Sequence, residues 1–359
     1  MDAQPFRQMP NFAAKSAFWS ELKTTVSEHL AEAARSGRPS VADPRLKRKA
    51  GVILLWFAGS YAALLCAGTL PGALLAALSL AFAASTLGFG VFHDANHRTL
   101  FRLPRSNVLA ARFCSVLLGP SRHFWVHKHN GLHHRQPNVL GWDDDLETRG
   151  ALRLSPACPW ERRFRHQEIK APFYYALNTV EWLFWKDFHC LVTGRLNHLH
   201  PVELDRRARA EFLISKGLYL GLFVVPPFLV LPVWWAAAAF VLFHVVLSWA
   251  LALVFQVAHL TPTMEFGGVR AEDDWALHQI RTTADFATGS RVVTWFTGGL
   301  NHQIEHHLFP NVAHTHYAAL RPIVRAVAER HGVRCHNLGG AFSAVRQHFS
   351  LLKALGAAA

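Results

Sequence analysis

The sequence predicts an all-α integral membrane fold: four transmembrane helices in two hairpins, with a cytoplasmic helical cap that carries most of the histidine. Three observations predict it. Of the 359 residues, 51% are hydrophobic. Charge is absent from three long stretches, and histidines recur at four-residue spacing beside the ends of those stretches. A membrane domain is expected over 51–325, between a cytoplasmic N-terminal segment (1–50) and a cytoplasmic C-terminal one (326–359).

The elements follow in order. "SAFWSELKTTVSEHLAEAARSG" (16–37) has helical periodicity and a glycine stop. No charged residue occurs from Gly51 to Leu70 or from Ala73 to Phe92, and Pro71-Gly72 separates the two runs. Each is about the length that crosses a bilayer core as a helix, roughly 20 residues, which gives spans at about 51–70 and 73–92. "NVLAARFCSVLLG" (107–119) is apolar but too short to span, so an interfacial or buried helix is expected. "NTVEWLFWKDFH" (178–189) is rich in aromatics and suits the membrane surface. The uncharged run from Gly217 to Ala258 holds Pro226, Pro227 and Pro232 near its middle and Trp234-Trp235 just after. It reads as spans at about 213–231 and 234–258, with the tryptophans at headgroup level.

Lysine and arginine set the orientation. Both hairpin connections lack them, whereas Arg45, Lys47, Arg48 and Lys49 stand immediately before the first span. By the positive-inside rule, both termini and the middle segment from His93 to about Glu211 lie in the cytoplasm. The formal charge of +13 is accounted for by such loops and their contact with anionic lipid. No run resembles a module that reads DNA or RNA, so no nucleic-acid partner is expected. The five cysteines are scattered and free of any CxxC pair, which indicates neither a disulfide framework nor a thiolate metal site. The N-terminus lacks the pattern of a cleaved signal peptide.

The 23 histidines are informative by position. His93 and His97, in "HDANH", are four apart at the end of the second span and so share one helical face. His129, His133 and His134, in "HKHNGLHH", repeat that spacing, with His123 and His127 just before them. His302, His306 and His307, in "GGLNHQIEHHLFP", do so again, and Gln303 stands four before His307. His259 closes the fourth span on the same side. A lone histidine at a span end is usually a polar interfacial residue, but three such clusters on one side of one membrane indicate a metal. Neutral imidazole suits iron, copper, zinc and nickel. Eight or nine candidate ligands exceed what one tetrahedral zinc uses, so two metal ions are expected. Cysteine ligands are absent and methionine is rare, which argues against iron–sulfur clusters and soft copper sites. Two irons beside an apolar domain of acyl-chain size point to dioxygen activation against an unreactive C–H bond, which side chains alone cannot perform.

These residues resemble the membrane fatty acid desaturases, and within them the acyl-lipid and front-end group. "HDANH" is similar to the first histidine box, "HNGLHH" to the second, and "GGLNHQIEHHLFP" followed by "HTHY" to the third, where glutamine stands in place of a histidine. "FQVAHL", "PNVLGWDDDLE" and "WALHQIRTTADFA" are smaller matches, and the likeness covers roughly residues 50–320. The resemblance implies a non-heme di-iron oxidase that uses O2 and two electrons to leave a double bond in an acyl chain. It implies His93, His97, His129, His133, His134, His259, His306 and His307 as iron ligands. For the ninth position His302 is taken as the ligand on its spacing to His306, with Gln303 as a group at or beside the metal. Asp143 and Asp145 resemble acidic residues that orient ligating imidazoles, although a solvated acidic turn reads equally well. No heme-binding HPGG of a fused cytochrome b5 occurs, so a separate ferredoxin or cytochrome b5 type donor is implied.

Related histidine boxes serve hydroxylases, ketolases and sphingolipid desaturases, and nothing in them decides between loss of a second hydrogen and return of oxygen. Two rivals come from other classes. His302 to His306 matches the H-x-x-E-H pattern of zinc peptidases, which leaves the other clusters without a task. A metal transporter would place ionisable groups near the bilayer midplane; His244 is the one imidazole deep in a span, and a hydrogen bond to a neighbouring helix is expected for it.

Overall fold

The computed structural model describes residues 12–196, 200–270 and 274–357, and the described chain is helical apart from loops and two pairs of two-residue strands. Helix α1 (Ala17–Arg35) is capped by the Ser16 hydroxyl, which accepts from the Trp19 N–H. Then come α2 (Pro44–Leu65) and α3 (Leu70–Asn96), α4 (Pro104–Leu118), α5 (Arg122–Val126), α6 (Gln167–Glu181) and α7 (Asp187–Thr193). Helices α8 (Arg206–Val230) and α9 (Val233–His259) follow. The remainder forms α10 (Trp275–Thr282), α11 (Arg291–Phe296), α12 (Gln303–Leu308), α13 (Tyr317–Arg330) and α14 (Ala341–Gly356).

Helices α2, α3, α8 and α9 are long and apolar enough to cross a membrane. Two of them start before the uncharged runs, because side-chain caps rather than hydropathy set a helix start. Asp43 accepts from the Arg45 N–H with Pro44 in the first turn, and Asp205 accepts from the Ala208 N–H. At the centre α3 packs against both α2 and α9. Its inward residues include Ala73, Ala77, Ala81 and Ala84, all buried, and such small side chains let helices approach closely. Large apolar side chains such as Leu55, Leu75 and Val241 face outward from these helices, and Trp234 is 81% exposed, as expected of surfaces that meet lipid.

Outside this bundle, α1 lies on α13, with Phe18, Leu22 and Val26 packed among Leu320, Val324 and Val327. Helix α14 lies on α6, which in turn lies on α9. The segment 178–189 is helical and runs through a π turn at Trp182–Lys186. His244 is hydrogen-bonded to Thr179 Oγ1 of α6 (2.9 Å), a neighbouring helix.

Candidate metal centre

Backbone irregularities position all three histidine segments. Near its end α3 passes through a π turn at Gly88–Phe92 and then presents His93 and His97. Helix α5 runs into a second π turn over His127–His133, closed by the His134 N–H on the His129 carbonyl (3.0 Å). Turns of this kind are frequent at functional sites. The third segment is brought in by Gly298, whose φ is +61°. A Cβ there would lie 2.5 Å from the Phe89 carbonyl oxygen, so only glycine lets this loop rest on the π turn of α3.

The structure gathers eight of the nine proposed histidines into two buried groups. His93, His97, His129, His134 and His306 each offer a ring nitrogen within 4.8 Å of the others, and His133, His259 and His307 do the same beside them. Where His129 and His133 were expected to share a face, His129 pairs with His134 and His133 turns to the second group. Closure by a five-residue hydrogen bond makes the residue one turn on i+5 rather than i+4.

Contacts on the outer ring nitrogens fix several tautomers. The Thr282 carbonyl (3.0 Å) and the Asp143 carboxylate (3.1 Å) only accept, so Nδ1 of His259 and of His133 donates. Gln279 Oε1 accepts from His307 Nδ1 (2.8 Å), and Tyr317 Oη lies 3.1 Å from His306 Nδ1. The inner Nε2 lone pairs of His133, His259 and His307 therefore face the groups. Nε2 of His97, His306 and His307 and Nδ1 of His134 are buried without a hydrogen-bond partner, each at a cost of about 1–3 kcal/mol. His93 Nε2 and His134 Nε2 each sit about 3 Å from His129 Nε2. Imidazole lone pairs that converge in a buried space, several with no hydrogen-bond donor to meet them, fit a divalent metal, and the all-imidazole set is one that iron accepts.

His302, expected as the ninth ligand, is brought to neither group. It is the residue before α12, with a non-helical backbone (φ −102°, ψ 62°), so the four-residue spacing to His306 does not put the two rings on one face. Its ring joins Asp285 and Glu305 in a separate buried cluster, where Asp285 also accepts from Arg321 Nε (3.2 Å). Separation of His302 from His306 also removes the zinc-peptidase pairing. Gln303 takes the inward position: its amide nitrogen donates to His259 Nε2 (3.0 Å), four residues before His307.

Asp143 is no solvated turn. Fully buried, it accepts from His133 and from the backbone N–H groups of Asn138 (2.9 Å) and Asp145 (3.0 Å). Asp145 stands 3.4 Å from His133 Nδ1 but its closer partner is Lys128 (2.6 Å). Sequence spacing gave no sign of Gln279 or Tyr317, although both lie within the quoted stretches. A further chain, Lys49 to His314 (2.9 Å) to Asp94 (2.5 Å), backs the first segment. His123 and His127 stay outside both groups, His123 on the Glu203 carbonyl.

Burial first, and crowding by neighbouring imidazoles second, holds His129, His134, His306 and His307 well below the ordinary histidine range. They are neutral near pH 7, the state a ligand needs. Burial acts the same way on His133, but the Asp143 carboxylate, helped by Asp145, outweighs it and raises that ring.

A cavity of about 640 Å³ opens between α6, α9 and residues 144–154, and Trp125, His129 and Phe255 form part of its wall. A smaller apolar cavity lined by Phe92, His93 and Leu247 shares Trp125, Trp182 and Phe255 with it. The two together run from the surface past His129 and His93 of the first group into the bundle.

Four membrane-length helices with eight imidazoles gathered beside them define a histidine-rich membrane protein with groups able to hold metal. Comparison with known proteins narrows the class. The Fatty acid desaturase family model matches residues 67–339, and the chain belongs to that family. It is 32% identical to the sn-1 linoleoyl-lipid 6-desaturase of Synechocystis sp., over 97% of this chain and 98% of that one. Identity to the enzyme of the same name from Arthrospira platensis is 28%, over 95% and 93%. The Delta(5) fatty acid desaturase A of Dictyostelium discoideum is 28% identical over 97% of this chain and 76% of its own length. The protein is thus an oxygen-dependent oxidoreductase of lipid metabolism.

Proposed function

We propose that this desaturase inserts its double bond into an acyl chain carried by a membrane glycerolipid, at two irons. His93, His97, His129, His134 and His306 would hold one and His133, His259 and His307 the other, with Gln303 beside the second. The observation that carries the reading is the division of eight buried rings into two groups with ring nitrogens turned inward. Activation of dioxygen for attack on an unactivated CH2 is the chemistry that paired iron supplies. The balance is R–CH2–CH2–R′ + O2 + 2 e⁻ + 2 H⁺ giving R–CH=CH–R′ + 2 H2O.

The chain's own residues have three tasks. Asp143, Gln279, Tyr317 and the Thr282 carbonyl hold the rings in register from behind. Trp125, Phe255 and Leu251 line an apolar passage that seats the acyl chain and keeps water from the oxidant. The basic surface receives the electron donor, a ferredoxin or cytochrome b5 type carrier whose acidic face it complements. Both termini and the centre face the cytoplasm, as the cluster from Arg45 to Lys49 favours. Lipid-borne substrates in the names of the relatives from Synechocystis sp. and Arthrospira platensis favour a glycerolipid over a soluble thioester.

Expression in a host without polyunsaturated lipids, followed by mass spectrometry that locates new double bonds, tests this. His133→Ala and His306→Ala should each abolish product while the protein stays in the membrane. Activity retained in both variants would overturn the ligand assignment.

A further inference from the structure

Helix α10 lies against both histidine groups along one face. Its positions i, i+3, i+4 and i+7 each meet a metal-binding segment. Trp275 Nε1 donates to the His134 carbonyl (3.2 Å) and His278 Nε2 to the Pro137 carbonyl (3.1 Å), while Gln279 accepts from His307 (2.8 Å) and the Thr282 carbonyl from His259 (3.0 Å). Three of these contacts end inside the protein, since His278, Gln279 and Thr282 are buried. Trp275 is half-buried and joins the first group to the surface.

A second indole continues outward. Trp19 of α1 meets Trp275 edge-on, with ring centroids 5.5 Å apart and planes at 66°, and also meets Phe309, which follows α12, at 5.6 Å. Both are ordinary aromatic contacts. The helices are tied together beside the indoles: Ser16 donates its N–H (2.8 Å) and its hydroxyl (2.7 Å) to Asp274, which caps α10 by accepting from the Leu277 N–H (2.9 Å). Trp19 is itself half-buried, and two exposed cations flank it, Lys15 just before the start of α1 and Lys23 one turn further along it. The other groups behind the rings lead elsewhere. Asp143 and Tyr317 are buried, and Trp125, stacked on His129 at 4.3 Å, lines the cavity that receives the acyl chain.

We infer that electrons reach the centre through Trp275, from an acidic one-electron carrier docked where α1 and α10 meet. This rests on the reading of the protein as a two-iron desaturase with a separate donor. The π orbitals of two indoles and one hydrogen bond bridge the gap from the surface at Trp19 to the His134 carbonyl, and so to the ring of that residue. Two carriers each give up one electron, and the electrons reduce two ferric ions to ferrous. The indoles are neither oxidised nor reduced overall, and no proton or covalent bond changes at them. Lys15 and Lys23 draw the acidic face of the carrier to this spot.

The test uses the full chain, iron-loaded in lipid nanodiscs, with whichever reduced carrier, a plant-type ferredoxin or a cytochrome b5, supports product formation by the wild type. Without O2, oxidation of that carrier is followed by its own absorbance, and dithionite, a small reductant that needs no docking, is the comparison. Trp275→Leu should lose most of the carrier-driven rate while keeping its iron and its wild-type rate with dithionite. Trp275→Phe, which keeps a ring against Trp19 and drops the hydrogen bond, should fall between the two. Lys15→Glu/Lys23→Glu, confined to the surface, should bind the carrier about tenfold more slowly at low salt, with iron present or removed, and approach wild type at high salt. A carrier-driven rate in Trp275→Leu equal to wild type, or one slowed in step with dithionite, would overturn the route, as would unchanged association in the lysine variant. No product from the wild type with either carrier would sink the desaturase reading itself.

Discussion

Asp143→Asn isolates the contribution of a residue that touches a proposed ligand from behind. The carboxylate accepts three hydrogen bonds, from His133 Nδ1 and from the backbone N–H groups of Asn138 and Asp145. An amide has one oxygen, so its NH2 must point at one of these donors. Losing a charge-assisted bond of this kind costs about 1.5–3 kcal/mol. The imidazole also loses the anion that raises its basicity, and changes of this type lower metal affinity or activity by about 10–100-fold. Activity at limiting iron should fall in that range and recover largely at excess iron, with metal content of the purified protein following the same course. Asp145→Asn is the control. Its carboxylate is farther from His133 and belongs mainly to Lys128, so the loss should stay within about threefold. Wild-type behaviour of Asp143→Asn at limiting iron, or a larger effect from Asp145→Asn, would refute the reasoning.

Other outcomes follow from the same geometry. Iron at a hundred times its dissociation constant should stabilise the fold by ~2.7 kcal/mol per site, read as a higher thermal midpoint that a chelator reverses; equal midpoints with and without iron would count against a metal-filled centre. His302→Ala should keep both irons, whereas Gln303→Ala should lose about tenfold in activity; metal analysis showing iron lost from the first and not from the second would restore His302 as a ligand. His348, buried in α14, accepts from Tyr175 Oη (2.7 Å) and donates to the Leu260 carbonyl (2.9 Å). Burial pushes its pKa down from 6.5 to about 4, a depressed value, so its stabilising contribution of at most ~3 kcal/mol is complete above pH 6.5 and lost as pH falls toward 4. Thermal midpoints measured across that window should fall more steeply for wild type than for His348→Gln, and parallel curves would remove His348 as a cause. Gly298→Ala forces a Cβ onto the Phe89 carbonyl at positive φ and should cost ~2 kcal/mol or more, seen as a lower midpoint.

How much of this was legible in the sequence depends on which physical signal each feature leaves. Stretches without charge identified the four membrane-length helices because desolvating a charge is costly enough to leave a mark in composition. Helix starts left no such mark. Asp43 and Asp205 extend two helices outward through residues that hydropathy alone assigns to the flanks. Helix α14, in the tail after residue 325, packs behind the cavity wall. Leu351, Leu352 and Leu355 of α14 pack with Ala171 and Tyr175 of α6 and Ala252 of α9. Contacts between residues so distant in sequence leave no local periodicity to detect.

The histidines show the same division at finer scale. Residue type and clustering sufficed to indicate a metal centre, since nothing else rewards so many imidazoles in one place. Spacing went astray wherever the backbone left regular α geometry. Four-residue periodicity presumes regular α geometry across the pair, yet His129 and His133 lie within a π turn and His302 precedes the first residue of α12. Regular helices would place successive rings along one stripe, suited to a single ion. In the π turn adjacent residues His133 and His134 serve different groups, and the junction before α12 sends His302 out and Gln303 in. Two neighbouring groups of imidazoles, drawn from three short segments and the end of α9, are reached through these departures, and a reading by ideal helical spacing fails at the residues that divide the rings between the groups.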